Sequence, residues 1–304
     1  MKDEYGFQNI YVIATYKCNW ECPFCLFRYN TEQDASEDLV VDRVKYAIHD
    51  SKKMCYVKIT GGEPLLKQGL LGKLFDLCNK ERGKIYKIGV GSNGSIPIGG
   101  PFEKLTVRTH VFFSRHSIED SLPKYRDIVR CGNDFIDYRL NCNLIKGGVD
   151  SVDAIEKYID RRASEGFRYI CFRELSAVDL VNNSIYPKEV VDYDAYYHDK
   201  LVRVSDILKD LEKTGRFEKS KVSGNYYDTN IFYWYRLPGH PLDVSVKFRI
   251  IDERRLLEYN RANDGVDEYV VHPDGTLTGC WDKDMKVILK GGDCHAKQTV
   301  RPQA

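Results

Sequence analysis

The sequence predicts an α/β fold, a partial (β/α)6 TIM-like barrel with a C-terminal cap of a helix and antiparallel strands. Apolar strand-like segments alternate with amphipathic helical segments through the first 175 residues, which is typical of a parallel sheet with helices on its outside. A closed barrel of eight such units needs about 250 residues. Six units therefore predict an open barrel.

The six strands are predicted from short runs that are rich in β-branched and aromatic residues. They cover Asn9–Thr15, Tyr56–Thr60, Tyr86–Val90, Val107–Ser114, Asp137–Ile145 and Arg168–Leu175. Such runs are typical of parallel strands, because both faces of a parallel sheet are covered. Apolar residues at helical spacing predict helices at 36–53, 68–80 and 151–165, and a short helix is expected to begin near Pro123.

The chain is expected to divide into a barrel core, residues 1–175, and a C-terminal extension, residues 176–304, packed on it. No linker rich in Pro, Ser or Gly precedes the extension, so we do not expect an independent domain. Its predicted elements are a helix at 192–213, irregular structure at 215–239, a half-exposed strand at 244–250, and a hairpin whose strands, 269–272 and 276–281, flank the turn sequence Pro273-Asp274-Gly275.

Composition argues against several classes of function. Lys and Arg number 46 and Asp and Glu 45, so the balanced charge indicates neither a nucleic-acid groove nor a membrane-binding patch. No apolar run approaches the roughly 18–20 residues of a membrane span, and the first residues lack the apolar core of a secretory signal. We expect a cytoplasmic protein, and in that compartment ten cysteines indicate metal binding or redox chemistry rather than disulfides.

Three cysteines follow the first predicted strand at C-x3-C-x2-C spacing: Cys18, Cys22 and Cys25. A cubane iron–sulfur cluster is usually held by four thiolates, so three thiolates leave one iron open to a non-protein ligand, as a catalytic zinc keeps one open position. Phe24 could pack beside whatever binds there. A structural zinc site with a fourth ligand elsewhere is the alternative, although no Cys or His lies nearby at the usual zinc spacing.

Three motifs, each at the end of a predicted strand, together resemble the radical S-adenosylmethionine (radical SAM) superfamily. They are the cysteine motif with its aromatic Phe24, Gly61-Gly62-Glu63-Pro64 after the second strand, and Ser92-Asn93-Gly94 after the third. The resemblance covers about residues 9–175. It implies a [4Fe–4S] cluster at the barrel mouth, bound by Cys18, Cys22 and Cys25.

The resemblance also implies the cofactor chemistry. S-adenosylmethionine (SAM) would chelate the open iron, and an electron from a donor such as flavodoxin or ferredoxin would cleave it to a 5′-deoxyadenosyl radical. That radical would take a hydrogen atom from the substrate. The cofactor-binding residues implied are Phe24, Gly61, Gly62, Glu63, Pro64, Ser92, Asn93, Ser114, Asn141 and Asn143.

Within this set, the backbone of Gly61 and Gly62 would approach the methionine amino group, because glycine has no Cβ. Glu63 and Pro64 would shape that loop. Ser92 and Asn93 would lie near the ribose. Taken alone, both the diglycine and the Ser-Asn-Gly sequences are also common strand-ending turns.

Candidate catalytic residues are Arg115, His116 and Cys280. Arg115 and His116 end the fourth strand, at the edge where parallel barrels carry their active sites, so substrate contact and a simple hydrogen-bonded strand end both stay open. Cys280 follows the hairpin and could give a hydrogen atom to the substrate radical, as a C-terminal cysteine does in some radical epimerases of the superfamily. A packing role is the alternative.

Charged residues within apolar strands, Arg139, Arg173 and Glu174, could line the cavity or pair with one another. Cys171 could face the barrel interior. The tail holds only Cys280 and Cys294, too few for a second cluster. Packing roles are expected for four further cysteines: Cys55, Cys78, Cys131 and Cys142. An aromatic stretch could form a substrate-contacting surface or pack by one face, and packing is favoured: Tyr226, Tyr227, Tyr233, Trp234 and Tyr235.

The sequence therefore predicts a radical SAM enzyme that acts on a small metabolite, a natural-product intermediate or a short peptide, with no nucleic-acid or membrane partner. The substrate and the net reaction stay open, epimerisation with Cys280 as hydrogen donor being one version. A non-enzymatic iron–sulfur or zinc protein, serving as a redox sensor or scaffold, is an alternative. A relative that binds the same cofactor in a non-radical role is another.

Overall fold

A computed structural model describes residues 6–25, 27, 30, 32–119, 132–176, 191–225, 227–239, 243–263, 265–266 and 268–291. Its strands are β1 (Phe7–Ile13), β2 (Met54–Thr60), β3 (Ile85–Ser92), β4 (Thr109–Ser114), β5 (Ile136–Asn143), β6 (Tyr169–Arg173), β7 (Phe217–Gly224), β8 (Asp228–Tyr235), β9 (Val244–Ile251), β10 (Glu268–Val271), β11 (Leu277–Thr278) and β12 (Val287–Leu289). Its α-helices are α1 (Glu37–Asp50), α2 (Gln68–Lys80), α3 (Val152–Ser164), α4 (Val191–Lys200), α5 (Val204–Leu211) and α6 (Glu253–Ala262).

All twelve strands belong to one sheet, in the order β12-β11-β10-β1-β2-β3-β4-β5-β6-β9-β8-β7. The eight strands from β10 to β9 in this order run parallel to one another. Strands β7 and β12 are the two ends of the sheet, so the barrel is open within the described part of the chain. The predicted α/β class and partial barrel are confirmed.

The helices form where the sequence supplies both a cap and an apolar stripe. Ser36 begins α1 by accepting a hydrogen bond from the Leu39 backbone N–H, and Ser151 begins α3 by accepting one from that of Ala154, which satisfies amide groups that the first helical turn leaves unpaired. The apolar stripes of α1, α2, α3 and α5 join the strands in one large buried core. Burial of this apolar surface fixes the helices on the outside of the sheet.

Side chains alternate between the two faces of each parallel strand. On β2, Val57 and Ile59 belong to the core under the helices, so Tyr56, Lys58 and Thr60 point to the opposite face. We call this opposite face of the eight parallel strands the inner face. The charged side chains on it are Lys58, Lys87, Asp137, Arg139, Arg173, Lys247, Arg249 and Glu268.

The C-terminal third differs from the prediction in two places. The helix expected at 192–213 is two helices, α4 and α5, because Leu201 pairs with Ile145 between them and the Glu174 carboxylate accepts a hydrogen bond from the Val204 N–H, where the second helix begins. The prediction of irregular structure at 215–239 is wrong, because β7 and β8 pair there as a hairpin.

The aromatic residues of β8 explain the error. Tyr233 and Tyr235 are buried, with hydroxyl groups that donate to carboxylates of Glu212 and Asp160, whereas Trp234 between them is 45% exposed. Buried and exposed side chains therefore alternate along β8, and one face of the strand packs against the core. The predicted packing role holds for Tyr233 and Tyr235.

The expected antiparallel strands are present, and the predicted hairpin is formed by β10 and β11. In addition, β9 pairs parallel with β6, and β10 pairs parallel with β1, so the extension lengthens the core sheet at both edges. The division near residue 175 stays a prediction. Cys55, Cys78 and Cys142 are buried as expected, whereas the helix near Pro123, Cys131, Tyr226 and Cys294 lie outside the described residues.

Among the described helices, none combines the length and the apolar character that crossing a lipid bilayer requires.

We expect acid to destabilise the fold through His272. Its imidazole is fully buried, with Nδ1 3.5 Å from the Tyr16 hydroxyl and Nε2 3.1 Å from Thr278 Oγ1, and burial, with a smaller effect of Lys283, lowers its pKa to about 4. An unfolded chain, with a histidine pKa of about 6.5, binds more protons between pH 6.5 and 4. The free energy of unfolding therefore decreases as the pH is lowered through this window, by up to about 1.4 kcal/mol per pH unit from this residue.

Urea denaturation of wild type and of His272→Gln at a series of pH values from about 7 to about 4 measures this contribution. The variant should show a shallower slope than the wild type. Equal slopes in wild type and His272→Gln would contradict the prediction.

Candidate functional site

Three loops meet at the carboxyl ends of β1, β2 and β3. They are the cysteine loop (residues 14–25), the diglycine loop (residues 61–67) and the Ser92 turn (residues 92–95). Because the three strands are parallel neighbours, their carboxyl ends lie at the same edge of the barrel. Hydrogen bonds join each loop to at least one of the others.

The three cysteines of the cysteine loop are half-buried. The Cys25 N–H donates to the Cys22 carbonyl at 3.0 Å, which closes a turn through Phe24, and the Cys18 sulfur accepts a hydrogen bond from the Trp20 N–H at 3.4 Å. Thiols that keep some exposure on a loop can take up a metal cluster, in contrast to the fully buried cysteines of the strands and helices.

The diglycine loop lies directly against the cysteine loop. The Gly62 N–H donates to the Thr15 carbonyl at 2.8 Å, and the Glu63 N–H donates to the Lys17 carbonyl at 2.9 Å. Gly61 has a φ of +135°, and a Cβ on it would lie 2.3 Å from the Thr15 oxygen; a Cβ on Gly62 would lie 2.1 Å from the Lys17 oxygen. The close approach that requires glycine here is to the chain's own backbone.

Glu63 connects the diglycine loop with the Ser92 turn. Its fully buried carboxylate accepts hydrogen bonds from the Asn93 N–H at 2.7 Å and the Ser92 hydroxyl at 3.2 Å through Oε2, and from the Leu65 N–H at 2.9 Å through Oε1. Burial raises the pKa of the carboxyl group, and these hydrogen bonds oppose the shift. Glu63 therefore acts as a brace, while Pro64 begins a short 3-10 helix that continues the loop.

Asn93 connects the Ser92 turn with the cysteine loop. Its Nδ2 lies 3.7 Å from the Cys18 sulfur and donates to Asn19 Oδ1 at 2.8 Å, and its Oδ1 accepts from the Ser95 N–H at 2.9 Å. Asn19 in turn donates to the Ser95 hydroxyl at 2.8 Å. Asn19 and Ser95 were missed by the sequence analysis, and only their position beside motif residues could have indicated them.

The ends of β4 and β5 lie further along the same edge. Ser114 and Asn141 are half-buried partners in register. The Asn143 N–H donates to His116 Nδ1 at 2.9 Å, so Nδ1 is unprotonated and the ring proton lies on Nε2. Burial, and after it Arg173, lowers the pKa of His116 to about 3, so this imidazole is neutral.

Phe24 of the cysteine loop contacts both His116, after β4, and the C-terminal extension. The two rings meet edge to face with centroids 4.6 Å apart. Phe24 also packs against a small apolar cluster that contains Leu175, Tyr193 and Tyr197, the last two on α4. Helix α4 therefore covers one side of the cysteine loop.

The remaining predicted residues make different contacts. Arg115 is 3% exposed, and its carbonyl accepts a hydrogen bond from the Tyr158 hydroxyl of α3. Glu174 pairs with Arg203 at 2.8 Å, a partner that the sequence did not indicate. Arg139, Arg173 and Cys171 lie on the inner face.

The Cys280 thiol is fully buried and lies 3.6 Å and 3.7 Å from the carbonyl oxygens of Asp282 and Met285 in its own turn. Burial raises its pKa to about 11. These contacts favour a packing role, and the role of hydrogen donor stays a prediction.

The cysteine loop fits a cubane cluster by its donor set: three thiols on one short loop, one of which accepts a hydrogen bond from Asn93. Over the described ranges, no three Cys, His, Asp or Glu side chains converge closely enough for one metal ion. In a cubane each thiolate binds a different iron atom, so the cluster requires no such convergence.

Comparison with known proteins gives a family match. Residues 12–145 match the model of the radical SAM superfamily. Uncharacterized protein MJ0907 of Methanocaldococcus jannaschii is 21% identical over 126 residues, which are 40% of this chain and 44% of that protein. The chain thus aligns with less than half of that relative.

Two solved structures resemble the chain at low identity. Native anSMEcpe with bound AdoMet and Cp18Cys peptide has a TM-score of 0.48 and 16% identity, over 92% of this chain and 78% of that chain. SuiB of Streptococcus suis bound to precursor peptide SuiA has a TM-score of 0.46 and 13% identity, over 90% of this chain and 60% of that chain.

We expect Gly62→Ala to displace the cysteine loop, because the added methyl group would lie 2.1 Å from the Lys17 oxygen. The free energy of unfolding should fall by about 2–4 kcal/mol, and iron bound after anaerobic reconstitution should fall several-fold. Gly83→Ala is the matched control, since a Cβ there meets nothing within 4 Å, and it should change stability by less than about 0.5 kcal/mol. Full iron content and wild-type stability in Gly62→Ala would show that the loops do not depend on this contact.

Proposed function

Because residues 12–145 carry the core of the radical SAM superfamily, we propose that the chain is a radical SAM enzyme. Cys18, Cys22 and Cys25 would hold a [4Fe–4S] cluster whose fourth iron binds SAM. When bound, the two cofactors would supply a 5′-deoxyadenosyl radical that takes a hydrogen atom from a small-metabolite, natural-product or peptide substrate. A flavodoxin or ferredoxin in the cytoplasm would deliver the electron.

The observation that carries this proposal is the connected set of hydrogen bonds among the three loops. Backbone bonds hold the diglycine loop to Thr15 and Lys17, Glu63 holds the Ser92 turn, and Asn93 returns to Cys18. A proposed cluster ligand and the two loops that the resemblance assigns to SAM are thus connected by hydrogen bonds. Such fixed geometry is what a site needs to position a reactive cofactor.

Each residue of this unit has a defined task in the proposal. The thiolates bind iron, and the Asn93 amide stabilises negative charge on the Cys18 sulfur by donating to it. The side chains of Ser92 and Asn93 already form hydrogen bonds within the loops. Contact with the ribose would therefore use the hydrogen-bonding capacity that remains on these side chains. Ser114, Asn141 and Asn143, at the ends of β4 and β5, would continue the cofactor surface.

His116 acts in this proposal as a fixed hydrogen-bond donor. Its Nδ1 accepts from the Asn143 backbone, which leaves the Nε2 proton to donate. With a pKa lowered to about 3, the imidazole does not serve as a proton-transfer acid or base near neutral pH. Its edge-to-face contact with Phe24 holds the cysteine loop from the β4 side.

Helix α4 would exclude water from the site. Tyr193 and Tyr197 of this helix are buried and pack with Leu175, next to Phe24. The Tyr193 hydroxyl donates to the Ser176 carbonyl at 2.9 Å, which anchors the helix where the core strands end. A reactive radical needs such protection from solvent.

We expect wild-type protein that is reconstituted with iron and sulfide without oxygen to absorb near 400 nm and to form 5′-deoxyadenosine from SAM under a strong reductant. Alanine substitution of Cys18, Cys22 or Cys25 should abolish both. Cys78→Ala, in the buried face of α2, is the matched control and should retain the cluster, because its thiol only packs. Bound iron without SAM cleavage would instead favour the redox sensor or scaffold, and zinc in place of iron would exclude the enzyme.

Epimerisation with Cys280 as hydrogen donor is one specific version of the reaction. Cys280→Ala tests it by product formation, once a substrate is found, with 5′-deoxyadenosine measured beside it. Since the thiol is buried in its own turn, we expect product formation to persist. Loss of product with SAM cleavage intact would assign Cys280 as the donor.

A further inference from the structure

The inner face is far more basic than the protein as a whole. It carries six basic and two acidic side chains, although the complete chain has 46 basic and 45 acidic residues. A third carboxylate, Asp228 of β8, reaches this face and binds the Arg249 guanidinium in bidentate fashion at 2.7 and 3.0 Å. Arg139 lies 3.8 Å from Asp137. Positive charge remains in excess.

The lysines of the inner face are held by neutral groups. Lys58 Nζ donates to the Tyr11 hydroxyl at 2.8 Å and lies 4.5 and 4.7 Å from the ring centroids of Tyr11 and Tyr56. Lys87 Nζ lies 4.5 Å from the Tyr56 ring. Within the described chain, neither these lysines nor Lys247 has a carboxylate at ion-pair distance. Aromatic faces attract a cation but do not neutralise it.

Electrostatics on the inner face reflect this excess of positive charge. Burial and then Arg249, on β9, lower the pKa of Lys58, on β2, to about 7; Lys247 adds to the shift, and Glu268 and Asp228 oppose it. The pKa of Lys247 is lowered by burial and, among the basic groups, first by Arg249. By side-chain alternation, strands β2 and β9, far apart in the sheet order, both place a lysine on the inner face.

We propose that the substrate carries an anionic group, a carboxylate or a phosphate, which binds on the inner face to the lysines that lack carboxylate partners there, Lys58 and Lys247. Partly buried cations that lack carboxylate partners destabilise a protein, and such a cost is expected where a ligand supplies the missing charge. Lys58 lies three residues before Gly61 on the same strand. The anion would thus lie on the inner face below the diglycine loop.

This inference rests on the proposed function and narrows the class of its substrate. SAM itself carries a carboxylate, but the resemblance places that group on the open iron, at the cysteine loop. Two separate anion sites are therefore expected, and binding in the presence of saturating SAM distinguishes them.

The test uses the reconstituted protein with saturating SAM, titrated calorimetrically without oxygen. Inorganic phosphate represents a phosphoryl substrate, and glutarate represents a carboxylate substrate. We expect at least one of them to bind, with an affinity that weakens as salt rises, because Lys58 and Lys247 are only partly buried and salt screens such charges. Which probe binds more tightly identifies the source of the charge.

Two variants place the site. Lys58→Met and Lys247→Met keep the length of the side chain and remove its charge, and each should weaken binding of the probe by about tenfold or more. Lys45→Met, at an exposed position of α1, is the matched control and should bind as wild type does. Because each inner-face substitution removes a repelled cation, the melting temperature should be equal to or above that of wild type.

Three results would overturn the inference: no binding of either probe, binding that SAM abolishes, or binding that neither inner-face variant weakens. A fall in melting temperature of both variants would also overturn it, since the lysines would then stabilise the fold. Formation of 5′-deoxyadenosine by wild type without a probe is measured separately. If no 5′-deoxyadenosine forms but the anion still binds, the proposed function is contradicted and this inference is not. If 5′-deoxyadenosine forms but no anion binds, this inference is contradicted and the proposed function is not.

Discussion

The site depends on one backbone contact, the approach of the diglycine loop to the residues that lead into the cysteine loop. Gly62 donates to the Thr15 carbonyl and has no room for a Cβ, because the Lys17 oxygen fills that space. Strand pairing of β1 with β2 brings the two loops to the same edge, and this contact then fixes their separation. The positions of Glu63, and through it of Asn93 and the Cys18 sulfur, follow from that separation.

The two faces of the sheet differ in the polarity of the side chains that they bury. Under the helices the core is apolar and supplies the stabilisation that burial of such surface gives. The single carboxylate brace, Glu63, is tolerated at zero exposure because three donors surround it. On the inner face, by contrast, Lys58 and Lys247 are half-buried and have no carboxylate at ion-pair distance among the described residues, and we attribute this unfavourable arrangement to binding rather than to folding.

The C-terminal extension is part of the barrel as much as a cover for it. Strands β9 and β10 pair with the two edges of the six-stranded core, so residues that contribute to the inner face come from both the core and the extension. Helix α4 meets Phe24 of the cysteine loop. The segment that matches the radical SAM superfamily model, residues 12–145, therefore shares the inner face with Lys247, Arg249 and Glu268, which lie outside that segment.

The sequence by itself determined the alternating core, the three loops and the candidate ligands Cys18, Cys22 and Cys25, because strand and turn preferences and cysteine spacing are local properties. It did not separate α4 from α5, and it took β7 and β8 for irregular structure, since their pairing with β9 is a long-range contact. Only the tertiary structure decided that Cys280 is buried in its own turn and that Lys58 and Lys247 lie on the same face of one sheet. Strand β9 joins that sheet by pairing with β6, and no local pattern encodes a pairing between segments so far apart in sequence.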